Sequence, residues 1–200
     1  AVDFDLGDTT FIGGNYGAWI VNGTVDGERT IGPMDGPYIS SMIIVNPGGV
    51  LDIQEGTVIK MQMGGYINNR GVLNITGTKD NPVYIISDRD DSIGGDTNMD
   101  GDATLPGGSC HSGIATADSG VTNIENAVVK HGGVGAHISS YGNLMNYGGE
   151  LNVADSSLSY GALGIYSQGG STNIANTTFE NLGIAAIIPN NGEISVSSSR

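Results

Sequence analysis

Gly71-Val-Leu-Asn74-Ile75 is the stretch whose reading decides the fold. It runs glycine, any residue, an apolar residue or threonine, a small polar residue, then isoleucine or valine. The same frame returns as Gly49-Val-Leu-Asp52-Ile53, Gly120-Val-Thr-Asn123-Ile124, Gly149-Glu-Leu-Asn152-Val153, Gly170-Ser-Thr-Asn173-Ile174 and Gly192-Glu-Ile-Ser195-Val196. Successive frame glycines lie 22, 49, 29, 21 and 22 residues apart. The longer gaps are one period plus a long insertion and one period plus a short one. A fixed period of this length marks a solenoid, whose insertions loop out at the corners. Leucine-rich repeats share the period, but their Leu-x-x-Leu-x-Leu signature and helical half are missing.

Apolar positions alternate within each repeat. Ile124, Ala127 and Val129 are followed by Val134, Ala136 and Ile138; Val153, Ser156 and Leu158 by Leu163 and Ile165; Ile174, Thr177 and Phe179 by Leu182, Ile184 and Ile187. Alternation with period two turns one face of each short strand inward. No single repeat buries its own apolar face, so the repeats must stack. The expected fold is an all-β parallel β-helix of about 22 residues per coil. The polar position of the frame, Asp52, Asn74, Asn123, Asn152, Asn173 and Ser195, is expected to form a side-chain ladder where the chain turns at the strand ends.

Residues 1–40 fit the frame poorly and hold Trp19, Phe4, Phe11 and Tyr16, so they are expected to cap the solenoid. Residues 41–200 are expected to form the coils, with a loop insertion at about 88–110. The repeat that Glu193 begins stops at Arg200, so the coil there is cut from a longer helix or is filled by another subunit. Ala1-Val-Asp-Phe-Asp5 reads as a mature end left by signal cleavage or as a simple boundary. No apolar run reaches the length of a membrane-spanning helix.

Composition narrows the function. Gly, at 34 of 200 residues, suits short strands and tight turns. Seven Lys and Arg against 21 Asp and Glu give a formal charge of −14. That balance argues against nucleic acid, whose phosphates need a basic patch. It argues equally against an anionic polysaccharide without bridging metal. The single cysteine, Cys110, makes no intrachain disulfide.

Asp88-Arg-Asp90-Asp91-Ser-Ile-Gly-Gly-Asp96-Thr-Asn98-Met-Asp100-Gly101-Asp102 is the densest polar cluster. Oxygens at Asp96, Asn98 and Asp100, with Asp102, follow the spacing of a calcium loop, and Gly101 allows the sharp turn. The twelfth position is Gly107 instead of an acid, so Asp88, Asp90, Asp91, carbonyls or water must complete the shell. The expected role of Ca²⁺ is structural: it would pin the insertion to the solenoid.

Other candidates are weaker. Tyr141, Tyr147, Tyr160 and Tyr166 fall near coil turns and offer rings on which sugars stack. Asn22, Asn74 and Asn176 begin glycosylation triplets, relevant in a secretory context. Cys110-His111 has the form of a nucleophile and base, and His131 with His137 that of a metal pair; neither carries a third group. Outside the insertion, carboxylates are spread singly, unlike the paired acids of a glycosidase.

Val50-Leu-Asp-Ile-Gln-Glu-Gly-Thr-Val-Ile-Lys60 and Gly71-Val-Leu-Asn-Ile-Thr-Gly-Thr-Lys-Asp-Asn-Pro-Val-Tyr-Ile-Ile-Ser87 are similar to rungs of secreted prokaryotic right-handed parallel β-helix repeat surface proteins. Gly94–Asp102 resembles that family's acidic loop, and Ser112-Gly-Ile114 the strand after it. The resemblance implies a right-handed β-helix in an exported protein, but no single activity. The expectation is an extracellular structural or adhesive module, calcium-stabilised, stacking head-to-tail on itself or belonging to a larger cell-surface protein. The alternative is a carbohydrate-binding or carbohydrate-active domain of lyase or hydrolase type.

Overall fold

The computed structural model describes residues 17–133 and 142–200. In chain order its strands are β1 (Trp19–Ile20), β2 (Gly23–Val25), β3 (Glu28–Ile31), β4 (Tyr38–Val45), β5 (Val50–Gln54), β6 (Val58–Asn69), β7 (Val72–Thr76), β8 (Val83–Ser87), β9 (Gly113–Thr116), β10 (Val121–Glu125), β11 (Ala127–Lys130), β12 (Gly142–Ala154), β13 (Ser157–Ser159), β14 (Leu163–Ala175), β15 (Thr178–Glu180), β16 (Ala185–Pro189) and β17 (Glu193–Ser197). They join in one sheet in which each pairing is parallel, and the described residues contain no helix.

The pairings fall into three columns. The first is β3, β5, β7, β10, the end of β12, the end of β14, and β17. The second is β1, the start of β4 and of β6, then β8, β11, β13 and β15. The third is β2, the later parts of β4 and β6, β9, the starts of β12 and β14, and β16. The chain visits the columns in a constant order, so each strand lies beside the one a repeat away.

The frame explains the first column. Leu51, Ile53, Leu73, Ile75, Ile124, Leu151, Val153 and Ile174 point inward and are at most 2% exposed. Burying one such side chain contributes about 1.5–3 kcal/mol. Threonine replaces the inner leucine twice, at Thr122 and Thr172, both 0% exposed. Their hydroxyls are satisfied by neighbouring corners: Thr116 Oγ1 and Asn69 Nδ2 donate to Thr122 Oγ1 at 2.7 and 2.9 Å, and Asn146 Nδ2 donates to Thr172 Oγ1 at 3.1 Å. The frame glycine is a spacing requirement. A Cβ at Gly71 would stand 2.3 Å from the Gly49 carbonyl oxygen, and one at Gly149 2.3 Å from that of Gly120.

One expectation is corrected. The ladder residues are not at strand ends; Asn74 is the third of five residues in β7, on the outer face between buried Leu73 and Ile75. Turning is done three residues later, where Asn126, Asp155, Asn176 and Ser198 have φ of 49°, 47°, 48° and 48°. Asn and Asp are the side-chain-bearing residues that adopt this left-handed conformation most readily. Parallel pairing also reaches into the region expected to be a cap. β1, β2 and β3 already pair in parallel with β4 and β5, and Thr30 stands in register with Asp52. Residues 1–16 of that region lie outside the described residues, as do Val134, Ala136, Ile138, His137 and Tyr141.

The long insertion leaves the sheet after Ser87 and returns at Gly113, in the passage from second to third column. Its exit is tied by backbone bonds: Gly64 N–H to the Cys110 carbonyl at 3.0 Å and Cys110 N–H to the His131 carbonyl at 2.9 Å.

Candidate functional site

The acidic insertion folds by local bonds. Asp96 accepts Gly101 N–H at 2.8 Å and Asp100 N–H at 3.3 Å, which closes the turn that Gly101 permits. The Asn98 amide donates to Asp100 Oδ2 at 2.9 Å and to Thr104 Oγ1 at 3.1 Å, and Thr104 Oγ1 donates to Asp100 Oδ2. These bonds use the Asn98 amide protons, the Thr104 hydroxyl and one oxygen of Asp100. What remains inside is acceptors: Asp91 Oδ1, Asn98 Oδ1 and Asp100 Oδ1 are shut off from solvent and receive no hydrogen bond.

Asp91, Asp96 and Asp100 each place a carboxylate oxygen within 4.8 Å of the others. Oxygens around one calcium ion stand 2.3–2.6 Å from it, so ligands across the shell are about 5 Å apart. The group fits inside that sphere. With Asn98 Oδ1 the chain offers four oxygens of hard, anionic or amide type, the set that suits Ca²⁺ more than a soft transition metal. Burial and the neighbouring Asp96 raise the Asp91 carboxyl above its ordinary range. Two carboxylates at this separation repel by about 3 kcal/mol near a protein surface, and by less at the exposed Asp96.

The other expected ligands are placed elsewhere. Asp90 is 7% exposed and turns toward the coil, with Oδ2 at 4.0 Å from Lys130 Nζ and 3.9 Å from His131 Nδ1. Asp88 accepts from Ser87 Oγ at 3.4 Å, and burial raises its carboxyl. Asp102 is exposed and contributes charge at a distance to Asp91.

The polar column is continuous. Asn74 Nδ2 donates to Asp52 Oδ1 at 2.7 Å, Asn123 to Asn74 at 2.9 Å, Asn152 to Asn123 at 2.9 Å and Asn173 to Asn152 at 2.9 Å. Every amide donates toward Asp52. An ionised carboxylate has no donor, so Asn74 must present its nitrogen and each later rung follows the same sense. Ser195 continues the register opposite Asn173.

The remaining candidates separate. Tyr147 and Tyr166 meet edge-on at 6.2 Å between ring centroids, whereas Tyr160 packs against His131 at 5.7 Å. Asn74, a glycosylation candidate, has its amide engaged in the ladder. Asn22 Oδ1 accepts Ser41 N–H at 2.7 Å, and Asn176 is exposed. Cys110 and His111 do not form a dyad. Gly107 N–H donates to Cys110 Sγ at 3.1 Å, while His111 Nδ1 accepts Gly113 N–H at 3.0 Å and Nε2 faces the Lys130 carbonyl at 2.6 Å. Burial lowers the pKa of His111 to about 4, and that of His131 likewise.

Sequence reading missed Thr30 and Lys60. Gly27-Glu-Arg-Thr30-Ile31 repeats the frame 22 residues before Gly49, but Arg29 in the apolar slot conceals it. Lys60 carries no local signal, because its burial comes from the insertion folding over it.

No protein-family model, curated protein or solved structure matches this chain. Among the described residues no helix is long and apolar enough to cross a membrane.

Proposed function

We propose that this chain is a right-handed parallel β-helix acting as an extracellular structural or adhesive module, braced by calcium at its acidic loop. The constant order of the three columns supports the helical path, and the right hand is the usual one for parallel crossovers. The observation that carries the calcium reading is the inward group of acceptors without donors: Asp91 Oδ1, Asn98 Oδ1 and Asp100 Oδ1. A cation is the partner such oxygens lack. Four side-chain ligands and no bidentate acid fit the weak class of calcium sites found in extracellular modules, about 10⁻⁴–10⁻³ M. The bound ion would fasten the loop over β6 and β8 and perform no chemistry.

Thermal melting in millimolar calcium and in chelator tests this reading. A rise of several degrees with calcium, abolished in Asp100→Asn, is expected; identical melts in wild type would defeat it. Self-association belongs to the same proposal. Electron microscopy separates filaments from single particles. The Tyr147–Tyr166 pair supports the second reading, a carbohydrate-binding face; loss of glycan binding on Tyr166→Ala would favour it.

A further inference from the structure

Lys60 sits in β6 between Ile59 and Met61, whose side chains belong to the core. Alternation therefore turns Lys60 outward, yet it is 0% exposed. The acidic loop covers it. Gly94 stands over the site with φ +75°, and a Cβ there would meet Pro37 Cγ at 3.0 Å and Lys60 Cε at 3.5 Å. Lys60 Nζ donates to the Gly95 carbonyl. The neighbours of Lys60 in register, Ile39 and Ile86, are also buried, at 9% and 0% exposed, and stand outside the main core cluster. The loop thus closes a small second layer on the outer face of three strands, with an ammonium in its middle.

A buried ammonium needs compensation. Burial lowers the pKa of Lys60, and four loop carboxylates act against that, Asp91 most strongly, then Asp90, Asp88 and Asp96. Two of these, Asp91 and Asp96, belong to the group that would hold calcium. The same anions would therefore serve two cations.

Resting on the calcium reading above, we propose that Lys60 is a resident counter-cation of the acidic loop: it holds the loop on the coil without metal and, by repelling the incoming ion, keeps calcium affinity low. A unit charge held several ångströms from a divalent ion in a partly water-excluded layer weakens binding by about tenfold or more. The arrangement makes the loop ordered at low calcium and tightened at high calcium, instead of folding only with the ion.

Lys60→Met keeps the apolar stem and removes the charge, whereas Lys60→Arg keeps the charge. Calcium titration calorimetry is run on wild type and both variants at fixed ionic strength. Amide hydrogen exchange over residues 88–97 is measured in chelator. Lys60→Met is expected to bind calcium about tenfold more tightly than wild type and to exchange faster in chelator; Lys60→Arg is expected within twofold of wild type. Equal or weaker binding by Lys60→Met overturns the proposal. Lys60→Gln, which keeps a donor for the Gly95 carbonyl, gives the same reading should the Met variant not fold. The two failures are distinguishable. No binding heat in wild type defeats the calcium reading and the tuning of affinity together, and unchanged exchange in Lys60→Met then overturns the holding role as well.

Discussion

Replacing Asn123 by alanine removes the middle of the polar ladder. Its Nδ2 donates to Asn74 Oδ1 and its Oδ1 accepts Asn152 Nδ2, both at 2.9 Å. The position is half-buried, so the groups left behind reach water and the loss is the net value of two bonds. At about 1 kcal/mol each, the cost is about 2 kcal/mol. In a chain of this length that lowers Tm by roughly 4–8 °C. Asn173 is exposed and donates one bond within the ladder, to Asn152 at 2.9 Å, so Asn173→Ala should cost about half as much. Asn74 and Asn123 share one bond, so the double alanine variant should cost about 1 kcal/mol less than the sum of the singles. Far-UV circular dichroism melts and urea titrations read wild type, the three single variants and the double. Equal losses for Asn123→Ala and Asn173→Ala, together with additive losses for the neighbouring pair, would refute the ladder as an energetic unit.

Acid should unfold the protein through its buried histidines. The His111 pKa falls from 6.5 to about 4 in the fold, so the stabilisation is fully present above about pH 6.5 and is lost as pH falls through about 4. That shift corresponds to about 3 kcal/mol. Protonation at Nδ1 would also set two donors, His111 and Gly113 N–H, against each other. The urea midpoint should fall steadily from pH 7 to pH 4, and a flat midpoint would contradict this. The raised carboxyl of Asp91 has the opposite sign: in the absence of a cation its ionisation at neutral pH opposes folding. Asp91→Asn should lose the response to calcium, its melts in calcium and in chelator coinciding; a calcium response equal to that of wild type would count against Asp91 as a ligand.

The columns were legible because they are written locally and repeatedly. Gly71, Leu73 and Ile75 recur at one period, and each fixes a backbone approach or an inward contact that most repeats share. The ladder membership of Asn74, Asn123, Asn152 and Asn173 followed from the same repetition, but its place on the strand did not. Asn is suited both to turns and to stacking, and two Asn-rich positions lie three residues apart in each repeat. Asn123 stacks while Asn126 turns, and only the register tells them apart. In the acidic loop, spacing suggested Asp96, Asn98 and Asp100, with Asp102, and left Asp88, Asp90 and Asp91 open. Which of these three stands beside Asp96 and Asp100 depends on which way the loop enters. Asp90 is drawn to Lys130 and His131, which a sequence separated by 40 residues does not advertise. Lys60 looked like an ordinary outward lysine because nothing in Val58-Ile-Lys-Met61 reveals a loop folded over it.

The most direct measurement is a crystal structure grown in calcium, with anomalous data collected at long wavelength. The account predicts parallel coils in three columns and an anomalous peak about 2.3–2.6 Å from oxygens of Asp91, Asp96, Asn98 and Asp100. A water or no density at that point, with the same oxygens turned outward, would contradict it.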